Sequence, residues 1–500
     1  MANSPTVYTY EQLRGRKFRL DEYYERITGT LDKSSARTGI IRDKNIRFQT
    51  LCNAVFESFK REVQEMGESL ESETYLEHQR NAIIGVEADV RYFMDKIHDY
   101  LKANNVQNEW YPRWYTSLPD AIFHENWGLA GIAEWMYGND KEMRESSSAK
   151  IVGNNIFFLI NGETTLMPQQ ISDEARGRIR RALRLNEPNK RPEYYEEIFT
   201  QNNIRVAIYA DDITAQNQEI IAFRKYVVPK LTFEEQASRG TIPHEAIPLF
   251  KQMVAIGFNV VFAGPVRTAK TTILQTWQMY ESDKLEGVVI QSDPELQFHK
   301  LKPKAPIMTL IANKDKLRTV VENILRGDAD YYVFAEAREG LSLYVALDVA
   351  TRGQNRMKMT YHINHRKIKH ICYDIARRIT DECGGNIYST VLDVAQTFNY
   401  VFEMKQLSDK SKKRLSGIYE IRLDDQSGTV EIHTICKYQP NTDDWVWNYT
   451  IGEDKEEMGQ ENIRAFNMFK DTLRSLASKY PMPEEDKLLT IDYSYLKGGK

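Results

Sequence analysis

Cysteine is scarce in this sequence, and the few cysteines present follow no binding pattern. The 500 residues include four, Cys52, Cys372, Cys383 and Cys436, which are dispersed without a C-x-x-C pair. Such spacing argues against a disulfide scaffold and against a cysteine-ligated zinc site. It favours a reducing compartment in which the thiols are inert.

Long apolar runs and a strong net charge are also missing. No window approaches the roughly 18 consecutive apolar residues of a membrane-spanning helix, and the N-terminus has no basic region followed by an apolar one. The net charge of −4 and the pI near 6.2 provide no global attraction to nucleic acid or to an acidic membrane face. The sequence therefore predicts a cytosolic protein with no membrane span of its own and no direct binding of nucleic acid.

Length and composition predict several domains. With 41% hydrophobic residues, a chain of 500 can bury more than one core, and a length of roughly 150 residues per domain gives about three domains. Changes of pattern divide the chain into a helical N-terminal extension (1–118), a mixed α/β N-terminal domain with a linker (119–238), an α/β domain (239–395) and a β-rich C-terminal segment that ends in a helix (396–500).

The spacing of apolar residues predicts the individual elements. Helices are predicted where such residues recur three or four apart, at 40–64, 76–101, 172–185 and 460–479. Strands are predicted as a hairpin at 150–162 and at 205–210, 219–228, 259–263, 287–291, 331–335, 358–363, 400–404, 417–423, 429–438 and 444–451. Between 240 and 395 strands alternate with helices, which is typical of an α/β fold with a largely parallel sheet.

One stretch combines a buried strand, a turn and the start of a helix. Gly264, four intervening residues, Ala269, Lys270 and Thr271 match the phosphate-loop pattern G-x-x-x-x-G-K-[ST], except that alanine replaces the second glycine. The alternative is an ordinary strand-to-helix turn that carries a surface lysine. The apolar run before the loop and the helical spacing after it favour the phosphate loop. The Cβ of Ala269 then requires a local φ and ψ that suit an L-residue.

Each part of this loop has a physical role. Successive backbone N–H groups and the N-terminus of the following helix hold phosphate oxygens, Lys270 brings a positive charge to the β- and γ-phosphates, and the Thr271 hydroxyl can reach Mg²⁺. The sequence thus predicts ATP and Mg²⁺ as cofactors. The predicted nucleotide contacts are Gly264, Pro265, Val266, Arg267, Thr268, Ala269, Lys270, Thr271 and Thr272.

Hydrolysis requires, in addition, a carboxylate that orients water or metal. Glu336 follows an apolar strand and is placed at the strand tip, where open α/β sheets bind ligands; the alternative is a capping or salt-bridging glutamate. Asp293 or Glu295, after another short strand, can reach the same crevice. His362 lies near the end of a further strand and could sense the γ-phosphate, although a lone histidine is more often structural.

Taken together, these stretches resemble the ATPases of the type II/type IV secretion superfamily, most closely the assembly ATPases of tight-adherence (Flp) pili and their conjugation-system relatives. Asp293–Phe298 is similar to the family's acidic box, Ile324–Arg338 to its Walker B segment and Thr360–Asn364 to the second half of its histidine box. Order and spacing are kept over roughly residues 120 to 450.

The resemblance implies a RecA-like P-loop ATPase domain and a role for single residues. By position in the motifs, Lys270 and Thr271 bind phosphate and Mg²⁺, and Glu336 is the Walker B carboxylate. Glu295 is the expected catalytic base, and His362 is the expected sensor of the γ-phosphate.

The resemblance also implies partners. The family's architecture is a homohexameric ring with nucleotide between the two domains of a subunit or near a neighbour's surface, and Arg205 and Arg224 are the candidate contacts from the N-terminal domain. The implied function is ATP-driven assembly or transport of a protein or conjugative substrate. The protein is then expected to be peripheral at the cytoplasmic face of the membrane, attached through an inner-membrane platform protein.

At several positions the sequence departs from the family. These positions hold Ala269, Gln291, Ser292, Ala335, Leu341 and Gln354 in this sequence, whereas the family has a glycine, an acidic residue or a histidine at each of them. These departures support an alternative, a nucleotide-binding structural ring or docking module with degenerate hydrolysis. A third possibility, a DNA helicase or packaging motor, is disfavoured because no basic stretch interleaved with aromatic residues is present. We expect hydrolysis that is slow and depends on both Glu295 and Glu336.

Overall fold

The computed structural model describes residues 35–65, 67, 69, 72–138, 140–184, 193–199, 204–210, 213–225, 230–327, 329–352, 356–424 and 426–498. The chain divides into an N-terminal unit, Met1–Tyr226, and a C-terminal unit, Val227–Lys500. Gln354, Leu185, residues 1–34 of the predicted extension and residues 226–228 of one predicted strand lie outside the described residues.

The N-terminal unit combines helices with one sheet. Its described helices are α1 (Ser35–Glu65), α2 (Glu73–Ile83), α3 (Glu87–Ala103), α4 (Leu118–Asn126), α5 (Ala133–Tyr137), α6 (Lys141–Glu145) and α7 (Asp173–Leu183). Its described strands are β1 (Ser148–Val152), β2 (Asn155–Ile160), β3 (Glu163–Gln170), β4 (Tyr194–Phe199), β5 (Ile204–Tyr209) and β6 (Ile220–Lys225). The first four helices share an apolar core in which the rings of Phe59, Phe93 and Trp127 pack together.

The prediction of one continuous helix over residues 76–101 is wrong, because the structure has two helices there. α2 ends at Ile83, α3 begins at Glu87, and Gly85 between them has a φ of 88°. A left-handed residue interrupts a right-handed helix, and glycine adopts that conformation without a steric penalty. The apolar spacing simply continues across the break.

The sheet of this unit is antiparallel, with the strand order β3-β2-β1-β6-β5-β4. The predicted hairpin is present as β1 and β2, which are joined by a turn at Gly153 and Asn154. The predicted helix after it is α7, whose start is fixed by Ser172: the hydroxyl accepts a 3.1 Å hydrogen bond from the N–H of Ala175.

The C-terminal unit alternates helices and strands before it becomes β-rich. Its described helices are α8 (Phe233–Ser238), α9 (Ile247–Ile256), α10 (Lys270–Met279), α11 (Phe298–Leu301), α12 (Lys314–Leu325), α13 (Gly340–Thr351), α14 (Ile371–Cys383), α15 (Ile387–Thr397), α16 (Glu453–Gly459) and α17 (Ile463–Lys479). Its described strands are β7 (Val260–Gly264), β8 (Gly287–Gln291), β9 (Ile307–Ile311), β10 (Tyr331–Ala335), β11 (Lys358–His362), β12 (Tyr400–Gln406), β13 (Lys413–Asp424), β14 (Thr429–Gln439), β15 (Asp444–Trp447) and β16 (Leu488–Asp492).

All of these strands belong to one sheet. Six of them are parallel, in the order β12-β7-β11-β10-β8-β9, and β13, β14 and β15 extend the sheet in antiparallel fashion beyond β12, with β16 also paired to β14. The strand before the phosphate loop, β7, is thus separated from β10, the strand before Glu336, by one strand. This is the arrangement of a RecA-like P-loop domain, and the predicted α/β fold class is confirmed.

Helices cover both faces of the parallel strands. In β7, Val261 packs into the core formed with α12 to α15, whereas Val260 and Phe262 pack into the core formed with α8, α9, α10 and α17. Burial on both faces explains why β7, β8 and β10 are almost entirely apolar, as is typical of parallel strands.

Two strands of this sheet were not expected from the sequence. β9 is the edge strand beside β8 and is only partly buried, and β16 follows the helix that was predicted to end the chain. Both are short and partly exposed, so neither has the continuous buried run that marks the central strands. Among the described residues, no helix combines the length and the apolar character that a membrane crossing requires.

Candidate nucleotide-binding site

The predicted site residues of the C-terminal unit collect at one edge of the sheet. The parallel strands β7, β11, β10 and β8 end there, at Gly264, His362, Ala335 and Gln291. Gly264 is the register partner of His362, and Ala335 is the register partner of Gln291. The residues that follow these strand ends therefore share the edge at which open α/β sheets bind ligands.

The loop after β7 has an unusual backbone. Gly264 has a φ of 143°, and Arg267 and Ala269 have φ values of 63° and 68°. A Cβ on Gly264 would lie 2.3 Å from the carbonyl oxygen of Met404, so only glycine fits there. Left-handed residues that alternate with ordinary ones turn successive N–H groups toward a common point, which is the geometry of an anion-binding nest.

Ala269 occupies the position at which the phosphate-loop pattern has glycine. It is the residue before α10, and its φ of 68° and ψ of 27° are left-handed. The conformation that the pattern assigns to glycine is therefore kept, although an L-residue adopts it at a cost of about 1–2 kcal/mol. The substitution leaves the shape of the loop intact.

Lys270 is the first residue of α10 and is 5% exposed. Its Nζ donates a 2.6 Å hydrogen bond to the carbonyl oxygen of Pro265, which also accepts one of 2.9 Å from the Thr268 hydroxyl. The lysine is thus folded back over the loop, at a helix N-terminus whose dipole favours anions. Thr272 follows on α10 and is partly buried, whereas Val266 and Arg267 are exposed.

Thr271 contacts the acidic loop after β8. Its hydroxyl donates a 3.3 Å hydrogen bond to Glu295 Oε2, and both residues are partly buried. A hydroxyl and a carboxylate side by side form the oxygen-rich donor set that suits Mg²⁺, which usually takes one or two protein oxygens and completes its shell with phosphate and water. The residues present therefore fit the predicted metal.

Glu336 is held at the tip of β10 in a left-handed conformation, with a φ of 62°. Its carboxylate pairs with Arg338, and His362 Nε2 lies 3.6 Å from Glu336 Oε1. Burial raises the pKa of Glu336, but the opposing interactions with His362 and Arg338 outweigh it and hold the pKa below the ordinary value of 4.5. Glu336 is accordingly an ionised carboxylate at neutral pH.

Thr360 holds this bend and was not identified as a site residue from the sequence. Its hydroxyl accepts a 2.7 Å hydrogen bond from the Glu336 N–H, and its carbonyl oxygen accepts one of 3.1 Å from the Ala337 N–H. A left-handed residue other than glycine costs of order 1–3 kcal/mol and persists only where its surroundings fix it. The signal available in the sequence was the position of Thr360 two residues before His362, within the same motif.

Two of the positions that depart from the family pattern face the interior. Gln291 is 2% exposed, and both ends of its amide bond to the backbone of Leu296. Leu341 packs, partly buried, against the core of the sheet. These two side chains therefore belong to the packing of the unit, whereas Ser292 is exposed.

The two predicted arginines lie in the N-terminal unit. Arg205 on β5 and Arg224 on β6 are register partners across the sheet, and Arg205 pairs with Glu196 on β4. The two arginines therefore lie side by side on neighbouring strands of this sheet. Their contact with nucleotide stays a prediction.

Comparisons with known proteins give matches to solved structures alone. No family model matches the sequence, and no curated protein matches it significantly. The VirB11 ATPase of the Brucella suis type IV secretion system, in complex with sulphate, is 16% identical with a TM-score of 0.31 over 56% of this chain and 90% of its own. The Legionella pneumophila ATPase DotB is 15% identical with a TM-score of 0.39 over 70% of this chain and 90% of its own.

A third match is the pilus retraction motor PilT with bound ADP, which is 13% identical with a TM-score of 0.38 over 68% of this chain and 92% of its own. With TM-scores of 0.31 to 0.39, these matches carry no argument about function, and the proposals below rest on the geometry of the site and on the sequence motifs.

Proposed function

We propose that the chain binds and hydrolyses ATP at the loop Gly264–Thr272 of its C-terminal unit. The observation that carries this proposal is the combination of a nest-like loop with a buried lysine at a helix N-terminus. Lys270 is 5% exposed, and its side chain donates a hydrogen bond to the backbone of this loop. The N–H groups of the loop and of the helix N-terminus favour an anion, and Lys270, the first residue of α10, adds a positive charge beside them.

In the proposed phosphoryl transfer, different residues of the chain have different roles. Loop N–H groups and Lys270 bind and orient the phosphates, and charge neutralisation of this kind accounts for most of the catalysis in such enzymes. Thr271, whose hydroxyl is bonded to Glu295, would hold Mg²⁺, which neutralises phosphate charge when bound. In this proposal Glu295 orients the attacking water as the base, and Glu336 is the second carboxylate, which orients water or metal at the γ-phosphate.

The test is phosphate release from ATP with Mg²⁺, together with calorimetric binding of ATP. Lys270→Ala removes charge-assisted hydrogen bonds worth about 1.5–3 kcal/mol, so binding should weaken by roughly 10- to 150-fold or become undetectable. Lys316→Ala, an exposed lysine on α12, is the matched control and should leave both measurements unchanged. Unchanged ATP affinity in Lys270→Ala would contradict the proposal.

We also propose that the chain functions as a secretion or pilus-assembly motor, as a homohexamer that couples ATP hydrolysis to the movement of a protein or conjugative substrate. The motif resemblance supports this finer assignment. Light scattering with and without ATP and Mg²⁺ tests the assembly, and a monomer under all conditions would count against it. A stable hexamer that binds ATP without hydrolysing it would instead favour the structural ring.

The N-terminal unit has a proposed part in this motor. An arginine that completes the phosphate site upon domain closure is a recurrent device in phosphoryl transfer, and Arg205 and Arg224 are the candidates. Arg205→Ala and Arg224→Ala should lower turnover while ATP affinity stays within about twofold of the starting protein, since closure follows binding. Arg181→Ala, an exposed arginine on α7 of the same unit, is the control.

Attachment to the membrane is proposed to be peripheral, at the cytoplasmic face, through an inner-membrane platform protein. The net charge of −4 disfavours electrostatic adsorption to anionic lipid and supports a protein partner. Flotation of the purified chain with anionic liposomes tests this, and tight binding to lipid alone would contradict it.

A further inference from the structure

A single buried side chain closes the loop that carries Glu295. Gln291 is the last residue of β8, and its Nε2 donates a 2.9 Å hydrogen bond to the carbonyl oxygen of Leu296, while its Oε1 accepts one of 2.9 Å from the N–H of Leu296. The loop between these two residues contains Asp293 and Glu295. Gln291 and Leu296 are 2% and 0% exposed, so water does not compete for either bond.

Both ends of this loop are fixed in the core. The carbonyl oxygen of Gln291 accepts a 2.8 Å hydrogen bond from the N–H of Ala312, beyond β9, and Leu296 and Phe298 pack among the apolar residues beneath the phosphate-loop helix. Inside the loop, the N–H of Glu295 donates a 2.7 Å hydrogen bond to the carbonyl oxygen of Asp293. The carboxylate of Glu295 is thereby presented to the Thr271 hydroxyl at 3.3 Å.

We propose that Gln291 is a positioning residue, whose side-chain amide sets Glu295 against Thr271. This inference rests on the proposed hydrolysis of ATP at the phosphate loop. It gives a reason for glutamine at a position where the family resemblance leads one to expect an acid. The glutamine acts through Glu295 and does not itself contact nucleotide.

The two hydrogen bonds between the Gln291 side chain and the backbone of Leu296 require an amide. One atom must donate to a carbonyl oxygen and another must accept from an N–H, and glutamine provides both, whereas an ionised carboxylate only accepts. A glutamate here would face the Leu296 carbonyl oxygen without a proton to donate, in a place where burial disfavours the charge. The acid that the family pattern contains would therefore impair this particular loop.

The experiment compares Gln291→Glu and Gln291→Met with the unchanged protein, by kcat, KM and ATP affinity at pH 7.5. We expect kcat to fall by roughly 10- to 100-fold, the scale of a misplaced catalytic group, with ATP affinity within about twofold because the phosphate loop is untouched. Gln79→Glu is the matched control, because Gln79 is 1% exposed and donates a 2.9 Å hydrogen bond to a backbone carbonyl, that of Trp127, in the N-terminal unit.

The pH profile separates positioning from a general loss of structure. Burial raises the pKa of a carboxyl group, so Gln291→Glu regains a proton donor as the pH falls and its kcat relative to the unchanged protein should rise between pH 8 and pH 5.5. Gln291→Met has nothing to protonate and should show no such recovery. Should Gln291→Glu fail to fold, Gln291→Met alone decides the kcat comparison.

A double-mutant comparison completes the test. In a Glu295→Gln background, Gln291→Met should lower kcat no further, since the residue that it positions is already disabled; a further fall of similar size would overturn the inference. A kcat of Gln291→Glu equal to or above that of the unchanged protein would also overturn it. If Lys270→Ala abolishes hydrolysis and Gln291→Met leaves it intact, the positioning role alone is rejected. If the unchanged protein does not hydrolyse ATP at all, the proposed function and this inference are rejected together.

Discussion

Thr271 and Glu295 are in hydrogen-bonding contact at 3.3 Å although 24 residues separate them along the chain. The contact joins the phosphate-loop helix α10 to the acidic loop after β8, the next strand along the chain. Because the hydroxyl donates its proton to the carboxylate, the lone pairs of its oxygen remain available as acceptors. Thr271 can thus ligate a metal ion while it stays bonded to Glu295.

The first prediction concerns this hydroxyl. Thr271→Val keeps the shape of the side chain and removes the oxygen, so ATP affinity in the presence of Mg²⁺ should fall by about tenfold or more, as expected for a bond to a charged group. Affinity measured in EDTA should change little. Calorimetry with and without Mg²⁺ checks both values.

Thr271→Ser keeps the oxygen and is the matched control, with affinity near that of the unchanged protein. Equal Mg²⁺-dependent affinity in Thr271→Val and in the unchanged protein would show that the hydroxyl is not a metal ligand.

The second prediction concerns Ala269, whose backbone has a left-handed conformation. Ala269 has a φ of 68°, which costs an L-residue about 1–2 kcal/mol and glycine nothing. Glycine loses about 0.5–1 kcal/mol more conformational entropy on folding than alanine, so Ala269→Gly should stabilise the unit by about 0.5–1 kcal/mol. Thermal unfolding should show a melting temperature that is higher by a few degrees.

Ala477→Gly is the control, because Ala477 lies within the helix α17, where glycine costs about 1 kcal/mol. The two substitutions should shift the melting temperature in opposite directions. A fall in both would mean that the loop gains nothing from glycine.

Most of the fold and the main residues of the site could be predicted because their signals are local. The strands β7, β8 and β10 are short, almost entirely apolar runs, and Lys270 is identified by its neighbours in the loop. The geometry around Glu336 depends instead on Thr360, which is 24 residues away in the sequence and adjacent only once the strands pair. The position of Thr360 in the motif of His362 indicates that it lies near the site, but not that its hydroxyl accepts a hydrogen bond from the Glu336 N–H.

Gln291 illustrates a different limit. Its partner Leu296 is only five residues away, yet the sequence indicates nothing about whether the amide points into the crevice or into the core. The family pattern has an acid at this position, so the sequence alone suggests that an acid has been lost. The burial of Gln291 and its two hydrogen bonds show instead that its side chain supports the loop. The direction of a side chain is decided by packing, which the sequence pattern does not contain.

The third prediction concerns a buried carboxylate beside β7. Glu403 on β12 is 0% exposed, accepts a 2.9 Å hydrogen bond from the Tyr419 hydroxyl and pairs with His365. This pair raises the pKa of His365 above its ordinary value of 6.5, against the opposing effects of burial and of Lys405. The folded protein therefore binds the His365 proton more tightly than the unfolded chain does.

The resulting stabilisation is fully present below pH 6.5 and is lost as the pH rises through the folded-state pKa. Denaturant unfolding should show a free energy of unfolding that declines from pH 6 to pH 8 by on the order of 1 kcal/mol or less, because the histidine is exposed and solvent screens the pair. His365→Gln should remove this pH dependence, and His299→Gln, an exposed histidine on α11, should keep it. The same slope in His365→Gln would assign the effect to another group.

The last prediction separates the two carboxylates. Glu295→Gln should lower the single-turnover rate of ATP hydrolysis by about 10²–10⁴-fold, the usual worth of general acid–base assistance, while ATP affinity stays nearly constant. Glu336→Gln should also lower the rate, because it removes a carboxylate that orients water or metal beside the reacting phosphate. Glu322→Gln, an exposed glutamate on α12, is the control for both.

The pH dependence of these rates distinguishes a base from a fixed charge. The pKa of Glu336 lies below 4.5 because of His362 and Arg338, so this carboxylate stays ionised from pH 5.5 to pH 8 and cannot produce a titration step in that range. The factor lost in Glu336→Gln should therefore be constant with pH, whereas a step in the profile of the unchanged protein that disappears in Glu295→Gln identifies Glu295 as the base. Loss of that step in Glu336→Gln instead, or full rates in both variants, would reject this assignment, since either result places the proton transfer on a group other than Glu295.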